Sequence, residues 1–228
     1  MTNLEKSLRH LEKLHTLRLP RHTSLTTTTT VRWPSTLHRV QVSGTFSTSA
    51  ISSFSWPPHL NSRTLENCND LSVNSLGSLI SSPQLDSRLR RLTISHLNRN
   101  LQPESICAIP AFLPRLAFLS VPGDLVDDAF FDLLRPFPLS APLSLQVLEL
   151  GYPYLDPEVG FQTTSLLDTL DAGLSQLRSV GFAEVFVTER RIVEDEEIDL
   201  ALQKRADEHA RRLGADAHNY TDVGVYYL

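Results

Sequence analysis

Residues 60–79 have the sequence LNSRTLENCNDLSVNSLGSL. Two patterns of apolar residues follow each other within this segment. The first has the spacing of a short strand closed by a turn, and its members are Leu60, Leu65 and Cys68. The second has the spacing of one helical face, and its members are Leu71, Leu76 and Leu79. One strand and one helix in about 25 residues cannot bury their apolar faces alone, so stacked copies of the unit are expected.

The strand pattern L-x-x-L-x-L recurs along the chain. Its seven matches begin at Leu14, Leu37, Leu60, Leu89, Leu116, Leu145 and Leu177. Successive matches begin 23, 23, 29, 27, 29 and 32 residues apart, and leucine-rich repeats have periods of about 20–29 residues. The spacing therefore predicts an α/β fold, a leucine-rich repeat solenoid with a curved parallel sheet and with helices or irregular segments on the convex side.

The repeats are expected to end before the C-terminus. Residues 1–189 are predicted to form the solenoid, in about seven irregular repeats, and residues 190–228 a capping helix and a tail. Acidic residues crowd the start of that helix and arginines its end, which complements the helix dipole, and Gly214 suits its stop. The helix could instead dock a partner. Residues 223–228 are a candidate edge strand.

The segments between strands change character along the chain. The threonine run at residues 26–30 and the Ser/Thr-rich residues 43–55 predict extended or irregular connections, because β-branched residues are poor helix formers. Later segments carry helical apolar stripes. The expected starts of these helices are Asn69 or Asp70, Pro103, Asp124, and Thr163 or Thr164.

Composition limits the function classes. The chain has 228 residues, 41% of them hydrophobic, and a net charge of −5, which is not the basic balance of a nucleic-acid-binding protein. No apolar run approaches about 18 residues, and the charged N-terminus lacks the core of a signal peptide, so no membrane partner is expected. The expected location is the cytoplasm or nucleus, where Cys68 and Cys107 would be reduced thiols in the core.

No catalytic motif is present. The chain lacks the nucleotide-binding, hydrolase-elbow and zinc-protease signatures. Its eight histidines are scattered, and the loose trio of His209, Asp216 and His218 is a weak basis for a metal site. The sequence therefore predicts a protein that is not an enzyme, with no catalytic residues, no metal and no cofactor.

Two segments suggest a family. CNDLSVNSLGSL at residues 68–79 resembles the cysteine-containing leucine-rich repeat, in which C-x-x-I-T-D-x-x-L-x-x-L follows L-x-x-L-x-L, and VDDAFFDLL at residues 126–134 is similar to the same helix module. Such repeats are frequent in the substrate-receptor half of F-box proteins, including fungal ones. The resemblance covers roughly residues 11–183. It implies a curved strand–helix solenoid that recruits a protein substrate to a ubiquitin ligase and contacts ligase components.

Two functions stay open at this point. The chain could supply the substrate-recognition repeats of an F-box-like ubiquitin ligase receptor, truncated or divergent, or it could be a stand-alone repeat scaffold or regulator with no ligase link. No F-box is recognisable before the first repeat, so the sequence does not choose between the two.

The concave sheet face is the expected binding site for a protein partner, because alternate strand residues point to it. The residues predicted to bind the partner are Arg39, Gln41, Glu66, Arg91, Thr93, Phe118 and Glu149. Arg39 and Arg91 are expected to flank Glu66, with Phe118 exposed beside Arg91. Arginine and aromatic residues are the usual interface anchors. The alternative is a merely solvated face with Phe118 partly covered by a loop.

Arg63 interrupts the core pattern, since it takes the second leucine position of the third match. A guanidinium buried there without a partner would cost several kcal/mol. Because Leu60, Leu65 and Cys68 hold the register on both sides, we expect the Arg63 side chain to reach past the strand to water.

Overall fold

The computed structural model describes residues 8, 10–21, 24–25, 32–46, 56–135, 143–155, 158–213 and 223–228. Its strands are β1 (Thr16–Arg18), β2 (Ser24–Leu25), β3 (Arg39–Phe46), β4 (Ser62–Cys68), β5 (Arg91–Ile94), β6 (Phe118–Pro122), β7 (Val147–Gly151), β8 (Ser179–Phe182) and β9 (Gly224–Tyr227). The helices are α1 (Val73–Ile80), α2 (Pro83–Asp86), α3 (Glu104–Cys107), α4 (Ile109–Phe112), α5 (Asp128–Leu134), α6 (Thr163–Ala172) and α7 (Glu189–Leu213). Short 3-10 turns follow β6 and β8.

The strands form one open parallel sheet in the order β1-β3-β4-β5-β6-β7-β8-β9, and the two-residue β2 pairs with β3. Each strand along this path lies beside the next one in the chain, in parallel. The seven strands predicted from the leucine pattern are therefore confirmed in position, direction and order. The expected edge strand at residues 223–228 is also confirmed, as β9.

The register aligns the pattern positions across the sheet. The second position of each match forms one continuous row of paired residues, Leu17, Val40, Arg63, Leu92, Leu119, Leu148, Val180 and Val225. Alternate strand residues point to opposite faces, so this row and the third positions face the helices and form the core with them. The fold is α/β, a parallel sheet with its helices packed against one face.

The helices begin close to the expected residues, with two corrections. Neither Asn69 nor Asp70 caps α1, because Ser72 accepts a hydrogen bond from the Ser75 amide while the Ser75 hydroxyl accepts one from the Ser72 amide. This reciprocal pair satisfies two amides that lack helical partners. Asp127 rather than Asp124 caps α5, because its Oδ1 accepts a hydrogen bond from the Phe130 amide.

Arg63 does not reach water, so that prediction is wrong. The side chain is fully buried, and it keeps its place in the core-facing row. Its guanidinium carbon lies 3.6 Å from the centroid of the Trp56 ring, which is a cation–π contact. Its three nitrogens donate no hydrogen bond to any described residue. Burial lowers the pKa of the guanidinium to about 9, so it is still protonated at neutral pH.

The C-terminal helix and strand are fastened to each other and to the last strands. Arg191 near the start of α7 is buried, and its Nε donates to Asp195 Oδ1 at 2.5 Å. The Arg191 guanidinium also lies over the ring of Phe182 on β8. Asp199, one turn after Asp195, accepts a hydrogen bond from the Val225 amide of β9 at 2.8 Å. Residues predicted to form a separate C-terminal segment thus join the same sheet.

Several expectations concern positions outside the described residues. They are the threonine run at residues 26–30, the helix stop at Gly214, and the acid and histidine at Asp216 and His218. Among the described helices, none is both long and apolar enough to cross a membrane.

Candidate interaction surface

The face of the sheet opposite the helices, here called the outward face, presents two rows of paired residues. The first row contains Thr16, Arg39, Ser62, Arg91, Phe118, Val147, Ser179 and Gly224. The second contains Arg18, Gln41, Thr64, Thr93, Ser120, Glu149, Gly181 and Tyr226. Six of the seven predicted binding residues lie in these rows, so the sheet register brings most of the set onto one face.

Arg91 and Phe118 form the most prominent pair on the outward face. They are directly opposite each other on β5 and β6, and the Arg91 guanidinium carbon lies 3.3 Å from the Phe118 ring centroid. The guanidinium is exposed, while the ring beneath it is half-buried. The expected contact between the two residues is confirmed. The ring is less exposed than expected because the arginine covers one side of it.

Glu66 does not lie between the two arginines, which corrects the expectation. Arg39 and Arg91 are both paired with Ser62, four residues before Glu66 on β4. At about 3.3 Å per residue, this separation places the carboxylate roughly 13 Å further along the strand. Glu66 instead accepts a hydrogen bond from the Gln41 side chain on β3.

Glu149 is the second acid of the predicted set, and its partner was not predicted. Its Oε1 accepts a hydrogen bond at 2.8 Å from the hydroxyl of Tyr226 on β9. Burial and this hydrogen bond to a carboxylate both raise the pKa of the Tyr226 phenol. Tyr226 therefore remains a neutral donor that orients the carboxylate. The sequence does contain a signal for Tyr226. Val225 aligns with the core-facing row, so the next residue along the strand, Tyr226, must point to the outward face.

Small residues separate these groups. Thr93 lies between Thr64 and Ser120 in the second row, and Ser120 and Ser179 are nearly buried. The short side chains leave a shallow depression in the middle of the second row of the outward face. The Arg91–Phe118 pair and the Tyr226–Glu149 pair border this depression. A low area bordered by arginine and aromatic side chains can accept protruding side chains of another protein.

Neither a metal-binding cluster nor a reactive thiolate is found among the described residues. No cluster of three or more His, Cys, Asp or Glu among them could hold a metal ion. Cys68 is buried, as expected, and its thiol donates weakly to the Val42 carbonyl. Burial raises the pKa of the Cys68 thiol to about 11, so it is a thiol rather than a reactive thiolate at neutral pH.

Asn98 is a structural polar residue that the leucine pattern does not include. It is buried, its amide nitrogen donates to the Leu65 and Ser95 carbonyls at 2.9 and 2.8 Å, and its oxygen accepts from the Cys68 amide. These bonds satisfy backbone groups where β4 and β5 end. The asparagine thereby fixes the ends of two strands that carry outward-face residues.

Neither a protein-family model nor a curated protein sequence matches this chain.

Proposed function

We propose that this chain is a leucine-rich repeat interaction module whose outward face binds a protein partner. The observation that carries the proposal is the Arg91–Phe118 pair, an exposed arginine stacked on an aromatic ring beside the small residues Ser62, Thr93 and Ser120. Such pairs present a large rigid contact area at low conformational cost, and arginine and aromatic residues dominate interface energetics. The partner-binding set is Arg39, Gln41, Glu66, Arg91, Thr93, Phe118 and Glu149, to which the structure adds Tyr226.

The leucine-rich repeat assignment is supported by the arrangement of the strand ends. Leucine-rich repeats place asparagine or cysteine after the third leucine of L-x-x-L-x-L. Here Cys68 and Asn98 occupy the ends of two successive units and are joined by a hydrogen bond of 2.8 Å. The parallel order of the strands and their spacing along the chain support the same assignment.

Within this class, we propose that the chain supplies the substrate-recognition repeats of an F-box-like ubiquitin ligase receptor. The support is the similarity of residues 68–79 and 126–134 to the cysteine-containing repeat of such receptors. A stand-alone repeat scaffold or regulator would use the same face, so the surface geometry serves both functions. Co-purification from cells of a ligase adaptor and a cullin with the chain supports the receptor. Recovery of a partner without them supports the scaffold.

The test of the binding face is a capture experiment with matched variants. Arg91→Ala/Phe118→Ala removes the proposed anchors. Arg99→Ala/Phe112→Ala removes an exposed arginine and a partly exposed phenylalanine elsewhere. We expect parent and control to recover the same partner, and the Arg91/Phe118 variant to lose it with a nearly unchanged thermal midpoint. If the partner is recovered equally by all three chains, the binding face lies elsewhere.

A further inference from the structure

Arginines collect at the edge of the sheet where the strands begin, although the chain as a whole has a net charge of −5. Arg90 and Arg178 immediately precede β5 and β8, and Arg88 and Arg115 lie in the turns before β5 and β6. Arg205 and Arg212 near the end of α7 line the same edge beside Arg178. We call these residues the arginine rim: Arg88, Arg90, Arg115, Arg178, Arg205 and Arg212.

Three rim guanidiniums are oriented by backbone carbonyls. Arg90 donates to the carbonyl of Arg115 at 2.8 Å, Arg115 donates to the carbonyl of Ser87 at 3.5 Å, and Arg88 donates to the carbonyl of Pro58. Among the described residues, no carboxylate forms a salt bridge with any of the three. A guanidinium has five N–H donors, and each of these contacts uses one nitrogen, so positive charge and further donors remain for a ligand.

Two adjoining clefts run along this edge. The first has a volume of about 380 Å³ and is lined by Arg90, Ala117, Leu143, Ser144, Gln146 and Gln176. The second also has a volume of about 380 Å³, shares Gln176, and is lined by Arg178, Leu202, Arg205 and Arg212 among others. His209 adds a further nitrogen base and Glu208 one acid to the second cleft. The two clefts adjoin at Gln176, which lines both, and together they are called the groove.

We propose that the arginine rim and its groove bind an acidic polypeptide segment. Arginine pairs with carboxylates in a planar two-bond geometry, which favours this ligand over a merely polar one. The groove walls between the arginines are mostly aliphatic or small and polar; no Phe, Tyr or Trp of the described residues lines either cleft, and the His209 imidazole is the one aromatic ring among the lining residues. Single-stranded nucleic acids are held largely by base stacking on aromatic rings, so the lining favours a polypeptide with acidic and aliphatic side chains.

Fluorescence anisotropy tests the proposal with a short fluorescein-labelled peptide of Glu, Ser and Leu. Probes for comparison are the same peptide with Lys in place of Glu, and a single-stranded oligo-dT of equal charge. We expect the chain to bind the acidic peptide, to ignore the lysine peptide and to bind oligo-dT more weakly. Binding should weaken as salt is raised, because exposed charges are screened. Equal or tighter binding of oligo-dT overturns the polypeptide assignment.

Paired variants test whether the acidic peptide binds at the arginine rim. Arg90→Gln/Arg115→Gln should weaken binding about tenfold, since each lost exposed pair contributes up to about a factor of five. Arg18→Gln/Arg99→Gln removes the same charge away from the groove and should bind within about twofold of the parent. Equal losses in the two variants would show general attraction to positive charge and overturn the site.

Two further variants test the role of rim charge and the independence of the two surfaces. Arg90→Lys/Arg115→Lys keeps the charge but loses the planar two-bond geometry of the guanidinium, so it should bind the acidic peptide more weakly than the parent and more tightly than the glutamine variant. If a lysine variant that is folded by circular dichroism binds the peptide no better than a folded glutamine variant, positive charge at the rim is not what the peptide recognises, and the proposal is overturned. The outward-face variant Arg91→Ala/Phe118→Ala should still bind the acidic peptide. An incorrect rim proposal and an incorrect outward-face proposal would therefore give different results.

Discussion

Replacing Arg63 with leucine should stabilise the protein. Burial lowers the pKa of the guanidinium from its ordinary value in water to about 9. At about 1.4 kcal/mol per pKa unit, this difference corresponds to a cost of ~5 kcal/mol for holding the charge in the core at neutral pH. The contact with the Trp56 ring offsets about 2 kcal/mol of that cost. Leucine removes the net penalty of ~3 kcal/mol and matches the aliphatic residues paired on either side, Val40 and Leu92.

The effect should depend on pH in one direction. Because the folded pKa of Arg63, about 9, lies below the unfolded value, the unfolded chain binds more protons than the folded chain once the pH rises above about 9. Stability of the parent relative to the leucine variant is therefore constant below pH 9 and rises above it. At pH 10 the advantage of the variant should be smaller by about 1.4 kcal/mol.

The assay is urea unfolding followed by circular dichroism, because the fluorescence of Trp56 would respond directly to loss of the stacked guanidinium. Arg99→Leu is the matched control, since Arg99 is exposed and the change in side chain is identical. We expect the Arg63→Leu midpoint to rise with an unchanged slope and the control to stay within about 0.5 kcal/mol of the parent. A leucine variant less stable than the parent would refute the reasoning, because the buried charge would then have a compensating partner.

Three other substitutions test how the structure is held together. Gly224→Ala should detach β9, because the glycine has φ +123° and an added Cβ would collide with Asp199 Oδ1. Hydrogen exchange of the Val225 amide should then be faster, while the amides of the other strands remain protected as in the parent. Arg191→Ala should cost about 3–5 kcal/mol in urea unfolding by leaving buried Asp195 without its cation. Asn98→Ala should cost about 2–4 kcal/mol, because the buried Cys68 amide loses its side-chain acceptor and the Leu65 and Ser95 carbonyls each lose one of their two donors. Asn100→Ala, at an exposed neighbour, is the control.

The sheet could be predicted from the sequence because each strand carries its own signal. Core leucines alternate with outward residues in every match, and a shift of one residue would expose the whole core row. The same alternation placed Arg91 opposite Phe118, which the register confirms. Strand pairing therefore follows from short-range patterns that repeat along the chain.

Features that depend on competition between similar groups could not be predicted in this way. Asn69, Asp70 and Ser72 are all good helix caps, and only the position of α1 relative to the strands selects Ser72. Whether Arg63 reaches water depends on where the Trp56 ring lies, and local spacing does not specify that position. The distance from the arginines to Glu66 could not be predicted from the alternation alone. Alternation shows which face a residue points to, and the strand register shows that Ser62, not Glu66, lies directly beside Arg39 and Arg91.

The arginine rim lies outside the pattern that predicts the sheet, because its residues come just before the strands or on the last helix. His15, His38, Asn61, Arg90, Gln146 and Arg178 all occupy the position immediately before the first paired residue of a strand. The fifth match has Ala117 at this position, so the position is polar in six of the seven matches and is arginine in two of them. Aligning it across the matches would therefore have indicated a mostly polar row with two arginines from the sequence alone.

The strands lie in the sheet in the same order as in the chain, and this arrangement has a mechanical consequence. Pulling on the two ends of the chain loads the sheet along the direction of its interstrand hydrogen bonds, so the bonds open one strand at a time rather than being sheared together. Because each strand touches only its neighbours, opening one unit leaves the next intact. A unit of 29 residues, the spacing between the fifth and sixth matches, would release roughly 100 Å of extended chain. Force would therefore lengthen this protein in discrete steps at low tension, each step removing one strand, and with it one residue from each row of the outward face.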